Sequence, residues 1–243
     1  MDNSIEPGDV KSRAKSAYDA TQVIWPQTDK WSSHTKKVLE EVVRRIIPRN
    51  ESIILNAGCG GNDYDIGQTT PICANLDISF RQCQDVRQSV VADIESIPFT
   101  DGVFDVVLCV GAVINYCEPY VAIPELFRVA KPGGLVIIDF ETTQSAELLF
   151  SGHWGKRVSV IERKYADRSD KTLLFSVEHI KRIVKQSGII NKVRRYHTAT
   201  AVWLRASQVA HIPDIVLSLD NFLSRAPIVR TLASNSIFVC QKF

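Results

Sequence analysis

Residues 53–62, Ile-Ile-Leu-Asn-Ala-Gly-Cys-Gly-Gly-Asn, run from an apolar strand straight into a glycine-rich turn. Glycine lets a ligand approach the backbone with no Cβ in the way, and it adopts positive φ at little cost. Asp77 closes the next apolar run, 21 positions after Asn56. A carboxylate there can accept hydrogen bonds from both hydroxyls of a ribose, or it can cap the helix that follows Ser79. A dinucleotide fingerprint needs a third small residue where Asp63 stands, and an acid is unfavourable beside a pyrophosphate. The pattern points to an adenosine carried without a pyrophosphate.

Alternating strands and helices must position these residues. Short apolar runs bounded by turn residues predict buried strands over Ser52–Ala57, Ala74–Asp77, Val90–Ala92, Phe104–Val110 and Leu135–Phe140. Helical spacing of Val38, Leu39, Val42, Val43, Ile46 and Ile47 predicts a helix over Thr35–Ile47, closed by Pro48. A second helix is expected over Val177–Ser187, with Gly188 as its C-cap. Two more strands, near Val193–Leu204 and Ser236–Gln241, end the chain. Only Gly61–Cys73 separates the first two strands, and it holds Pro71, so the first crossover helix must be short or distorted. Glu141–Lys171 and Arg205–Ala233 exceed ordinary loop lengths and read as elaborations over the active site. The fold class is an α/β, Rossmann-like, mostly parallel sheet.

Composition narrows the partners. With 29 basic and 27 acidic side chains among 243 residues, the net charge of +2 gives no overall field toward nucleic acid or membrane. The first ten residues lack a basic region followed by an apolar run, and no apolar run is long enough to cross a bilayer, so a cytoplasmic location is expected. The six cysteines show no metal-knuckle spacing and read as reduced, small hydrophobes; no metal is expected.

From about residue 50 to 140 the sequence resembles the class I, S-adenosylmethionine-dependent methyltransferases. The glycine loop at 56–62 resembles the family's first motif and Asp77 its ribose-binding acid. Val91-Ala92-Asp93-Ile94 resembles the adenine-binding segment, Phe104–Cys109 the fourth strand, and Arg128–Gly134 the turn before the fifth. The resemblance implies a seven-stranded sheet whose antiparallel last strand lies between the fifth and sixth. It implies S-adenosylmethionine as cofactor, with S-adenosylhomocysteine as product, held by Tyr18, Asn56, Gly58, Gly60, Asp77, Ile78, Asp93, Ile94 and Val110. Residues 1–34, with Tyr18, Trp25 and Trp31, would form a lid or cap segment on a domain of residues 35–243. Two positions depart from the family: Asn56 stands where an acid is usual, and Asn62 replaces the third glycine, where it tolerates left-handed geometry.

A sulfonium methyl is already activated, so the enzyme's main task is alignment of the acceptor, and a base is needed chiefly for a hydroxyl. Asn115, Tyr116 and Trp154 are the candidates for substrate contact, and His153 for a general base. Asp105 either serves the site or orders the turn before its strand. The expected acceptor is a small organic metabolite, a sugar or natural product, methylated on oxygen or nitrogen. An RNA acceptor is the alternative raised by the basic residues of 156–195, although those of 181–185 fall on the solvated face of a helix. A lipid acceptor is raised by Ile212, Ile215, Val216, Leu219, Phe222 and Leu223, which also suit a lid helix packed on its own domain. A noncatalytic protein that keeps the fold is the remaining alternative. Nothing in the sequence sets the oligomeric state.

Overall fold

In a computed structural model, residues 7–24, 26, 29–47, 52–64, 66, 72–165, 168–207, 212–223 and 226–243 are described. The five apolar runs become parallel strands β1 (Ile53–Ala57), β2 (Ile72–Asp77), β3 (Ser89–Val91), β4 (Phe104–Cys109) and β5 (Ala130–Glu141). Later in the chain come an antiparallel pair, β6 (Val158–Tyr165) and β7 (Arg168–Phe175), and then β8 (Gly188–Tyr196) and β9 (Asn235–Lys242). The main sheet runs β3-β2-β1-β4-β5-β9-β8, and β9 is antiparallel to both of its neighbours. Leu55 lies beside Ala74 on one side and Val107 on the other, so β1 is an interior strand with no free edge.

One face is covered by α2 (Lys30–Ile46), whose Val38, Leu39, Val42 and Val43 pack against Ile54, Val106, Leu108 and Ile137. Asp29 caps this helix, accepting from Ser32 N at 2.8 Å, so it begins at Lys30 rather than Thr35. The opposite face carries α4 (Pro119–Val129) and α5 (Val177–Val184), with Ile123, Leu126 and Phe127 in one core with Ile180 and Ile183. A short α3 (Phe80–Cys83) follows β2, and α1 (Pro7–Ala20) precedes the domain.

Several expectations need correction. Residues 199–204 are not strand: β8 stops at Tyr196, and α6 (Ala199–Ser207) follows. The Asp220 carboxylate, from α7 (Asp214–Leu223), accepts the backbone N–H groups of Thr198, Ala199 and Thr200, fixing a helix start that local pattern does not announce. Gly188 caps no helix; it opens β8, where a Cβ would collide with the Gln241 carbonyl and the Phe127 ring. The stretch 141–171 holds most of the β6–β7 hairpin, and α7 lies within 205–233. Trp25 and much of the segment between β1 and β2 lie outside the described residues. All six cysteines are free and buried, and burial pushes the thiols of Cys59 and Cys73 up to about 12. Among the described residues no helix is long and apolar enough to cross a membrane.

Candidate functional site

A cleft opens at the carboxyl ends of β1, β2 and β4, the general place for ligands in such sheets. Its floor is the turn after β1, where Gly58, Gly60 and Gly61 all have positive φ. The N–H groups of Gly58 and Cys59 both donate to the Leu76 carbonyl, at 2.7 and 2.9 Å, which pins the turn to β2. A Cβ on Gly58 would lie 2.6 Å from the Val113 methyls, so glycine is required by packing as well as by φ.

Asp77 sits at the centre of this floor. One carboxylate oxygen accepts Gly60 N at 2.8 Å and the other accepts Ser79 N at 2.9 Å. Burial raises its pKa against those bonds. The cap of α3 is Ser79, not Asp77, so the remaining lone pairs of Asp77 are left to the cleft. Asp93 and Ile94 line the far end.

The roof is α1, which the sequence showed only as a leading segment. Lys11, Ala14 and Tyr18 face the cleft at helical spacing. Lys11 Nζ donates to Asp93 and Glu95, both at 2.7 Å; burial disfavours its charge, and the two carboxylates outweigh that and raise its pKa. At the other end Gln82 Nε2 donates to the carbonyls of Tyr18 and Thr21, and the Ser79 hydroxyl donates to Asp19. The helix is thus fastened at both ends of the cleft. The Tyr18 ring meets Tyr116 edge to face at 5.9 Å, and burial, with Tyr18 beside it, holds the Tyr116 hydroxyl well above its ordinary pKa.

The structure brings Tyr18, Gly58, Gly60, Asp77, Ile78, Asp93, Ile94, Val110 and Tyr116 together around the cleft. Other candidates lie elsewhere. Asn56 is fully buried beneath the loop, where its Nδ2 donates to Asn62 O at 2.8 Å and Asn75 Oδ1 at 2.9 Å. An amide can donate to both of those acceptors and a carboxylate cannot, which gives the departure from an acid a structural reason. The left-handed residue near Asn62 is Tyr64, with φ of 51°, whose N–H donates to Asn62 Oδ1. Asn115 is fully buried, bonded to both backbone groups of Glu141 and to Leu173 O, so it ties β5 to β7. His153 pairs with the Ser159 hydroxyl at 2.6 Å, and Trp154 is 44% exposed; neither lines the cleft. Asp105 accepts from Ile53 N and Lys131, both away from the cleft, and those bonds lower its pKa.

Lys11, Ile24, Tyr64, Val113 and Cys117 also line the cleft and carried no sequence signal as site residues, apart from the helical spacing of Lys11 with Tyr18. Next to them, fully buried Asp139 accepts the N–H groups of Gly111 and Ala112 at 3.1 Å and the Tyr196 hydroxyl at 2.9 Å. Burial raises its pKa to about 7 against these bonds. The lining fits adenosine and a methionine chain: apolar walls from Ile24, Ile78, Ile94, Val110 and Val113, with carboxylates at 77 and 93.

Residues 55–138 match the family model described as a methyltransferase domain. The demethylmenaquinone methyltransferase of Mycobacterium marinum is 29% identical over 136 residues, 53% of this chain and 57% of that one. The enzyme of the same description from Staphylococcus saprophyticus is 25% identical over 220 residues, 77% of this chain and 94% of that one. This chain spans little more than half the length of the Mycobacterium marinum and Corynebacterium urealyticum relatives. Among solved structures, the PH0226 protein of Pyrococcus horikoshii aligns with a TM-score of 0.61 at 15% identity, covering 94% of this chain and 99% of that one. The N-methyltransferase NodS of Bradyrhizobium japonicum, solved with S-adenosylhomocysteine, aligns at 0.58 and 12% identity, covering 96% and 99%. At these identities the structural likeness is one of fold.

Proposed function

We propose that this chain, which carries a class I, S-adenosylmethionine-dependent methyltransferase domain, transfers the cofactor's methyl group to a small organic acceptor. The observation that carries this reading is Asp77, held by Gly60 and Ser79 in a cleft with apolar walls. Asp77 would take the ribose hydroxyls and Asp93 the adenine amino group. Tyr18 and Tyr116 would lie toward the methionine end. When bound, the cofactor supplies a methyl group already activated by a sulfonium. The chain's own residues need only hold the acceptor in line and keep water out, which the roof of α1 serves. Calorimetry with S-adenosylhomocysteine tests the reading: one molecule per chain is expected, and the absence of any heat or thermal shift would overturn it.

Within small organic acceptors we favour an apolar ring of the kind that the curated relatives' names describe, ahead of a sugar. The supporting feature is α7. Its Val216 and Asp220 are buried, whereas Ile215, Leu219 and Phe222 are 78, 47 and 70% exposed. A lid helix packed by its whole apolar face would bury these three, so the packing expected of it holds for one side alone. Methylation of a reduced quinone ring balances simply. The ring carbon's electron pair forms the new bond, the methyl–sulfur pair stays on sulfur, and the carbon's proton leaves to water. Labelled methyl transfer to a short-chain demethylmenaquinol and to a panel of sugars separates the two acceptors; transfer to a sugar alone would reverse the preference.

A further inference from the structure

A second cluster of chemistry-bearing side chains lies outside the cleft, where α2, the end of β8, and α7 meet. His34 comes from α2, His197 follows β8, and Asp220 belongs to α7. His197 is fully buried, its ring stacked on Trp31 at 5.4 Å. Its φ of 62° is a left-handed conformation that a non-glycine residue holds only when its surroundings impose it.

The hydrogen bonds around His197 fix its tautomer. The Thr35 hydroxyl gives its single hydrogen to Trp31 O at 2.8 Å, so at 2.8 Å from His197 Nε2 it can only accept. Nε2 therefore carries the proton, and in the neutral ring Nδ1 presents a lone pair. That lone pair faces the Thr200 hydroxyl at 2.9 Å and Asp220 Oδ2 at 3.7 Å. His34 Nε2 is also 3.7 Å from Asp220 Oδ2. Both separations are too long for hydrogen bonds. They are close to the spacing of ligand atoms on one tetrahedral ion, roughly 3.3–3.5 Å for metal–ligand bonds of about 2.0–2.2 Å.

The charge balance points the same way. Asp220 Oδ1 is saturated by three backbone N–H groups, whereas Oδ2 receives only His197 N, at 3.2 Å. Among the described ion pairs, no lysine or arginine faces this 2%-exposed carboxylate; the side chains beside it are the two imidazoles. The Thr198 hydroxyl, in the same turn, is buried without a partner. A carboxylate, two imidazoles whose donor atoms converge within 4.8 Å, and a deficit of positive charge make a cation site.

We propose that His34 Nε2, His197 Nδ1 and Asp220 Oδ2 bind one divalent ion of the zinc class, clamping α2 to α6 and α7. The Thr35 hydroxyl is then the outer partner that orients His197 through its other ring nitrogen, the usual companion of a metal-bound imidazole. Thr200 gives up its bond to Nδ1, and water takes the fourth position. The ion would staple α6 and α7 to the first helix of the domain, and the inference does not depend on which acceptor is used or on methyl transfer.

The test uses the full chain after dialysis against a chelator, titrated with zinc chloride in competition with a chromophoric chelator. One zinc per chain is expected, with affinity falling at least a hundredfold in His34→Ala and in Asp220→Asn. His34 is the informative position, because its recorded polar contact is the one to Asp220 and its loss should leave a folded protein. Thermal unfolding should show a zinc-dependent rise in the wild type that His34→Ala lacks. Equal zinc uptake by the wild type and His34→Ala would overturn the proposal. So would a wild type that takes up no zinc.

Discussion

The cleft and the region that follows β5 are built on different principles. In the cleft, Gly58, Gly60, Asp77 and Asp93 stand at the ends of consecutive strand units, and each is placed by its own strand and turn. Beyond β5, α6 starts where a carboxylate 20 residues downstream caps it, and the β6–β7 hairpin is tied to β5 through Asn115, 58 residues from Leu173. Local rules write the first region into the sequence in order. The second is assembled by contacts between distant residues, so its amino acids change meaning with their partners.

The comparison breaks most readily at Asn115. If it is a structural tie rather than a substrate contact, Asn115→Ala removes three buried hydrogen bonds to backbone groups and costs about 3 kcal/mol or more. For a chain of this length that lowers Tm by roughly 6–12 °C, with cofactor affinity unchanged in the folded fraction. Asp77→Ala removes two backbone bonds of the loop as well, and its distinguishing effect should be on cofactor affinity. Loss of its bonds to a ribose costs about 1.5–3 kcal/mol, roughly a 10- to 150-fold weaker affinity for S-adenosylhomocysteine by calorimetry.

Asp139 touches both regions, through Gly111 and Ala112 at the cleft and Tyr196 at the end of β8. Its folded pKa, raised by burial to about 7, means that the folded chain holds this proton more tightly than the unfolded one. The resulting stability is fully present below about pH 4, the unfolded value, and is lost as pH rises through 7. The Tm of the wild type minus that of Asp139→Asn should therefore fall from pH 5 to about pH 7 and level off above it. A flat difference would detach this carboxyl from the balance.

The smallest effect is expected at His153, which pairs with Ser159 outside the cleft. His153→Ala should leave turnover within a few-fold of normal once an acceptor is known, below the 100-fold minimum typical of a lost general base. A larger loss, together with a missing limb in the pH profile, would move the acceptor toward the hairpin.

How far the sequence could be read follows the same division. Strands β1 to β5 were legible because each is a short apolar run ended by turn residues, and the glycine loop because positive φ selects its residue type. Asn56 reads as a cofactor contact that departs from the family's acid because its partners, Asn62 O and Asn75, are invisible without the fold. Lys11 was missed because its two carboxylates lie more than 80 residues away. Gly188 resembled a cap because glycine serves both a left-handed turn and a close approach, and only the Phe127 ring and the Gln241 carbonyl decide between them.

The insertion of β9 between β5 and β8 also sets a timetable. Ile137 pairs with Val239, about a hundred residues later, and Lys242 Nζ reaches back to the carbonyls of Arg128 and Ala130. During synthesis the cofactor loop and β1 to β5 leave the ribosome long before the strand that completes them. Until then β5 presents an unpaired edge carrying Val136, Ile137, Ile138 and Phe140, and β8 has no strand to join. A nascent chain at that stage is an exposed template for wrong pairing, and its escape depends on how fast residues 235–242 arrive.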